Sequence, residues 1–149
     1  MHLLKETKTS KFKDIHFQAI VNVLFTYSWC SENIKNMVSP YEVTNQQFNV
    51  LRILRGQYPN PCTINLIKSR MLDKMCDASR IVERLLQKGL ILKEVNSVDK
   101  RAVDILISEK GLSLLKKMDA EIDISALISS KLTADEAQQL NDLLDKMRE

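Results

Sequence analysis

The sequence predicts a mainly α-helical protein with a small β-hairpin wing: a winged helix-turn-helix with flanking helices that pair two copies of the chain. Three observations predict it. A short amphipathic stretch, Asp77–Lys88, is stopped by Gly89 and followed at once by two strand-like runs, 90–95 and 102–107, joined by a polar loop at 96–101. Long stretches with apolar residues at helical spacing lie toward both ends of the chain. The positive charge is concentrated between them: residues 44–111 hold 12 Lys/Arg against 7 Asp/Glu, while the remainder holds 10 against 12. That is where attraction to phosphate would need it.

Each element has its own signal. Residues 1–10 are polar and expected to be loosely ordered. From Lys11 to about Met37, the residues Phe12, Ile15, Ala19, Ile20, Val23, Leu24 and Tyr27 recur at helical spacing, and Phe17, Val21, Phe25 and Trp29 lie off that stripe. A helix apolar on most of its circumference must be covered on most sides. In a chain of 149 residues the expected extra cover is a second copy. Ser39-Pro40 interrupts this helix.

Thr44 and Gln47 have the spacing of a capping box, opening a helix that buries Phe48, Leu51 and Leu54 and ends near residues 56–59. Asn60-Pro61 reads as a turn, and residues 61–63 as a short strand that pairs with the hairpin. Thr63 is placed to cap the next helix, Ile64 to about Met71, with Ile64, Ile67 and Met71 inward. In the helix after it, Ala78, Ile81, Val82 and Leu85 form the inner face. Val103, Ile105 and Ile107 alternate with Ala102 and Asp104 in the second strand. Ser108 is placed to cap a helix running through Leu112, Leu115, Met118 and Ile122 toward Ile128. Thr133 and Glu136 form a second capping box before a last helix with Ala137, Leu140, Leu143, Leu144 and Met147 on one stripe. The expected organisation is an N-terminal dimerisation helix at 11–43, a DNA-reading region at 44–111 and C-terminal dimerisation helices at 112–149.

Composition narrows the function classes. Hydrophobic residues at 44%, charged residues at 28%, and only 3 Gly and 3 Pro describe an ordered, largely helical chain. No apolar run approaches the roughly 20 residues that cross a bilayer, and the N-terminus lacks a signal-peptide core. No membrane partner is expected, and a cytoplasmic location follows by default. Cys30, Cys62 and Cys76 are far apart, and the histidines are His2 and His16. A metal site, a disulfide framework or a cofactor is therefore not expected. Nor is an enzyme: the sequence carries neither a Ser-His-Asp or Cys-His set nor a Gly-rich phosphate loop.

The order of motifs resembles the MarR (multiple antibiotic resistance regulator) family of bacterial transcription regulators. The residues that carry the resemblance are Val43 through Leu54, Ser79-Arg-Ile-Val-Glu-Arg-Leu85, Lys88-Gly-Leu-Ile91, Asp99-Lys-Arg-Ala-Val103 and Ser108-Glu-Lys-Gly111. The last three motifs in this order are specific together and weak singly. The resemblance implies a homodimer with interlocking first and last helices, acting on a pseudo-palindromic stretch of double-stranded DNA with half-sites about 34 Å apart. It further implies a repressor, often one released by a small-molecule effector. The chain departs from the family pattern at Leu72, where many members have Gly, and at residues 73–77, where Ser and Thr are usual.

Several residues are candidates for contact with DNA. Ser79 and Arg80 precede the inward Ile81, so they should face outward from the reading helix; Arg80 suits a guanine edge, and Ser79 a phosphate or a base. Lys74 and Asp77 stand at the helix start, although Asp77 also fits a first-turn acid favoured by the helix dipole. Arg84 lies one turn beyond Arg80 and fits a surface ion pair as well as DNA. By resemblance, Arg101 is the loop arginine that enters the minor groove, with Asp99 holding it and Lys100 on phosphate; a solvated hairpin tip is the competing reading.

Other readings stay open. Cys76, read as standing at the helix N-terminus, would have a depressed thiol pKa and could act as a redox switch, or serve merely as a small residue there. The aromatic residues Phe17, Phe25, Tyr27, Trp29 and Phe48 fit core better than a ligand pocket. A winged helix used as a protein-interaction module, or a thiol-based redox-sensing regulator of the same fold, are the alternatives to a DNA-binding regulator.

Overall fold

The computed structural model describes residues 12–149, so the expectation for residues 1–10 lies outside the described residues. The chain divides into two compact units, one ending at Asn45 and the other beginning at Gln46.

In the first unit, α1 (Ile15–Val38) starts at Asp14, whose carboxylate accepts the Phe17 backbone N–H at 2.8 Å. A 3-10 turn, Ser39–Tyr41, follows it. Val21, Phe25 and Trp29 are half-buried, whereas Ile20, Leu24 and Tyr27 on the helical stripe are 48%, 62% and 64% exposed. Phe17 and Tyr27, expected in a core, are thus largely open; the Phe17 ring makes a tilted contact with Phe12, ring centroids 6.2 Å apart.

The second unit takes the chain from α2 (Asn45–Gln57) through α3 (Ile64–Arg70) and α4 (Ala78–Gln87) into a hairpin, β1 (Ile91–Val95) and β2 (Val103–Ile107). Three further helices follow, α5 (Glu109–Glu121), α6 (Ala126–Ser129) and α7 (Ala134–Arg148). The strands pair antiparallel, from Ile91 opposite Ile107 to Val95 opposite Val103. The strand expected at 61–63 is a single bridge: Cys62 and Ile105 exchange N–H···O bonds of 2.8 and 2.9 Å. Leu51 and Leu54 of α2, Ile67 of α3, Val82 and Leu85 of α4, Ile105 of β2 and Leu115 of α5 are all buried. The i, i+3, i+4, i+7 inner face read for α4 accordingly seats it on the core, with Ile81 only half-buried at its edge.

One helix ends early. The run expected from Ser108 toward Ile128 stops at Glu121, because Ile122 turns to extended backbone at φ −117 and ψ 127. Two β-branched residues flanking Asp123 favour that extension over another helical turn. The second capping box forms in full: Thr133 Oγ1 accepts the Glu136 N–H at 3.3 Å, and Glu136 Oε2 accepts the Thr133 N–H at 2.8 Å. That backbone N–H, helped by the Thr133 hydroxyl, holds the Glu136 carboxyl below its usual range. On α7, Leu140, Leu143 and Met147 stay exposed.

The motifs Lys88–Ile91 and Ser108–Gly111 form a junction that fixes the end of α4. Gly89 takes φ +71, the left-handed conformation that lets a helix end in a tight turn. Ser108 Oγ donates to the Gly89 carbonyl at 2.7 Å and accepts the Gly111 N–H at 3.1 Å, while the Ser108 N–H donates to the Leu90 carbonyl at 3.1 Å. Lys110 Nζ reaches the Lys88 carbonyl at 2.8 Å. Ser108→Ala removes a helix cap and strands a part-buried carbonyl. It should cost about 2 kcal/mol and lower the melting temperature by roughly 6 °C, measured by circular dichroism.

Candidate nucleic-acid interface

The site is built on α4 and the hairpin, both within the second unit. Asp77 is the N-cap of α4: its Oδ1 accepts the Arg80 N–H at 3.1 Å. This is the helix-start role weighed for it, and it places the start of α4 at Ala78. With Ala78, Val82 and Leu85 buried, Ser79, Arg80 and Arg84 fall on the opposite, exposed face. The ion pair considered for Arg84 is not made with any described residue. Glu83 instead lies 3.8 Å from Lys93 of β1, a loose tie between α4 and the hairpin.

Lys74 is turned back on its own chain, its Nζ 2.5 Å from the Ser69 carbonyl at the end of α3. This satisfies a carbonyl that the helix leaves free, while Lys74 itself stays exposed.

Cys76 corrects an expectation. It lies one residue before the cap, outside the helix, with its thiol donating to the Asp73 carbonyl at 2.9 Å and resting 3.5 Å from Met71 Sδ. Burial raises its pKa, and the carboxylates of Asp73 and Asp77 raise it further, so the expected depression is reversed. Burial likewise pushes the Cys62 thiol up. No group of His, Cys, Asp and Glu that could hold a metal ion occurs among the described residues.

The wing is a hydrogen-bonded loop. Asn96 Oδ1 accepts the N–H groups of Val98 at 2.9 Å and Asp99 at 2.8 Å, and its amide nitrogen donates to Asp104 at 3.0 Å. Asp99 Oδ1 accepts the Arg101 N–H at 3.0 Å, and the Ala102 N–H closes onto the Asp99 carbonyl at 2.9 Å. Asp99 therefore holds Arg101 through the backbone and leaves the guanidinium free to point outward, beside an exposed Lys100. The sequence reading missed Asn96. Its signal was present: Asn at a strand end before a polar loop bonds the backbone two residues on.

The fold that carries this helix and loop is found in solved structures. Over 99% of its own length and 99% of the other chain, the protein superposes on a cysteine-to-serine mutant of MarR from E. coli, crystallised with operator DNA, with a TM-score of 0.75 at 23% identity. This is the MarR winged-helix fold. Bordetella bronchiseptica BpsR, whose DNA binding is regulated by 6-hydroxynicotinic acid, matches with a TM-score of 0.74 at 23% identity, over 89% of this chain and 99% of that one. A MarR transcription factor from Planctomyces limnophilus matches with a TM-score of 0.67 at 26% identity, over 91% and 98%. No family model matches the sequence. Within this fold, α4 stands at the position of a recognition helix and the 96–101 loop at that of the wing. No helix among the described residues is long and apolar enough to cross a membrane.

Proposed function

We propose that the chain is a MarR-family transcription regulator that binds a pseudo-palindromic operator as a homodimer, represses from it and is released by a small-molecule effector. The observation that carries this reading is the pairing of Arg80 on the recognition helix with Arg101 in a wing whose backbone is already fixed. A guanidinium on each element suits both parts of a duplex: base edges in the major groove and the negative minor groove beside it. Ser79, Arg84 and Lys100 supply further contacts to phosphate and sugar.

Homodimerisation draws support from the apolar side chains left open on α1 and on α7, Leu24 and Leu143 among them at 62% and 65% exposed. Large apolar side chains exposed in such number on each of these helices are uncommon in a monomer, and a second copy is the cover expected. Control by a ligand draws support from BpsR, similar in fold, whose DNA binding is regulated by 6-hydroxynicotinic acid. A cytoplasmic location accords with this function.

Selection of bound sequences from a random duplex pool tests the reading in one experiment. The expected result is an inverted repeat with half-site centres about one helical turn apart and an affinity that falls steeply with salt. A protein that enriches no sequence, or that sediments as a monomer at micromolar concentration, overturns it. Binding to a protein with no duplex enriched would favour the interaction-module reading.

A further inference from the structure

The segment between α3 and α4 presents two apolar side chains to solvent from a rigidly bonded turn. Leu72 is 87% exposed and Met75 is 93% exposed. The turn is no loose loop. The Leu72 N–H donates to Asn49 Oδ1 at 3.0 Å, and the Met75 N–H donates to Asp73 Oδ1 at 3.0 Å. The polar groups around them bond to the chain itself: Lys74 to the Ser69 carbonyl, the Cys76 thiol to the Asp73 carbonyl, Asp77 to the Arg80 N–H. The turn therefore holds two apolar side chains out beside polar groups already engaged with its own backbone, with Met75 two residues before the cap of the recognition helix.

We propose that Met75, with Leu72 in the same turn, reads thymine C5-methyl groups in the major groove and so sets part of the operator sequence. The proposal rests on the DNA-binding reading above. Residues at the N-terminal end of a recognition helix are the ones that reach base edges. In the major groove those edges offer hydrogen-bonding atoms and one apolar feature, the methyl group of thymine. Charge selects DNA over a protein as occupant: Lys68, Arg70, Arg80 and Arg84 are all exposed on the two helices that flank the turn, within the stretch where cations outnumber acids 12 to 7. An unbranched thioether suits the task, because it adapts to whichever neighbouring base step carries the methyl.

The test uses the intact protein and the duplex selected from the random pool. Each thymine is replaced in turn by deoxyuracil, which removes only the C5-methyl. Affinities are then measured for the wild type, Met75→Ser and Leu72→Ser. At one or two positions per half-site, deoxyuracil should weaken wild-type binding about fourfold, the factor expected for one methyl group left in water. The same replacement should be silent in Met75→Ser, which should bind the thymine duplex as weakly as the wild type binds the deoxyuracil one. Both side chains are exposed, so melting curves within a few degrees of wild type confirm that each variant is folded. A wild type that binds the duplex yet ignores every deoxyuracil overturns the proposal and leaves DNA binding standing. So does a deoxyuracil penalty undiminished in both variants. Failure of the wild type to enrich any duplex removes the reading beneath it as well.

Discussion

Gly111→Ala should destabilise the protein by about 3 kcal/mol and lower its melting temperature by roughly 10 °C, the upper range for forcing one carbon into a filled core. A Cβ at Gly111 would stand 2.3 Å from the Leu90 carbonyl oxygen and 2.7 Å from Ile107 Cγ1. Neither neighbour can give way cheaply. The Leu90 carbonyl already accepts the Ser108 N–H, and the Leu90 and Ile107 side chains are 4% and 3% exposed. Relief would have to come from moving α5 off the start of β1, which breaks the bonds from Ser108 and Lys110 that finish α4. Gly56→Ala is the contrasting control: nothing lies within 4 Å of a Cβ there, and it sits in α2 without a positive φ. It should raise stability by up to about 1 kcal/mol. Thermal and urea unfolding of the two variants measure the difference. A Gly111→Ala protein that melts with the wild type would mean that α5 and β1 are not in close contact in solution.

That junction also marks how far the sequence could be read. Ser108 as a cap, Thr63 as a cap, Gly89 as a helix stop and the Thr133–Glu136 box were legible because each depends on a few residues at fixed spacing, and local chemistry decides them. The inner face of α4 was legible for the same reason. The motif at Ser108–Gly111 was visible as a pattern, but its physical content was not: a close approach of two backbones is a long-range fact that no spacing rule contains. The early end of α5 was missed because the apolar period continues through Ile122 while the backbone does not. In α1 the helical spacing holds, yet Ile15, Ile20, Leu24 and Tyr27 of the expected stripe are exposed while Val21, Phe25 and Trp29 off it are half-buried. Periodicity identifies an apolar face without saying which chain covers it.

In the candidate interface, Arg80 could be placed from sequence because its buried neighbours Ala78 and Val82 fix the outward positions, whereas Arg101 was placed by the resemblance alone. Lys74 and Cys76 could not. Their partners, the Ser69 and Asp73 carbonyls, depend on how the turn closes. The reversal of the Cys76 pKa direction follows from a one-residue shift in the helix start, which carries the thiol away from the helix dipole and beside two carboxylates. A redox switch at that thiol accordingly has less chemistry behind it than the helix-terminal reading gave it.

The second large effect separates base reading from phosphate attraction. Arg80→Ala should weaken binding to the selected operator ten- to a hundredfold, the range for losing a bidentate contact to guanine, while affinity for random duplex falls far less. Lys100→Ala should weaken both alike and reduce the salt slope by about one counterion per copy. The structure makes the comparison clean. The Arg80 side chain is exposed, and what it gives to the fold is its backbone N–H, bonded to Asp77, which alanine keeps. Lys100 lies in a loop held by Asn96 and Asp99 through backbone groups, so removing its ammonium leaves the wing in place. Arg101→Ala belongs between the two: its N–H bond to Asp99 survives, and only the guanidinium is lost. Its penalty should concentrate on duplexes whose flanks beside the recognition helix are A·T-rich, where the minor groove is narrow and its potential most negative. Equal, small losses for all three variants on every duplex would mean that α4 and the wing do not sit in adjacent grooves, and the basic face would then need another ligand.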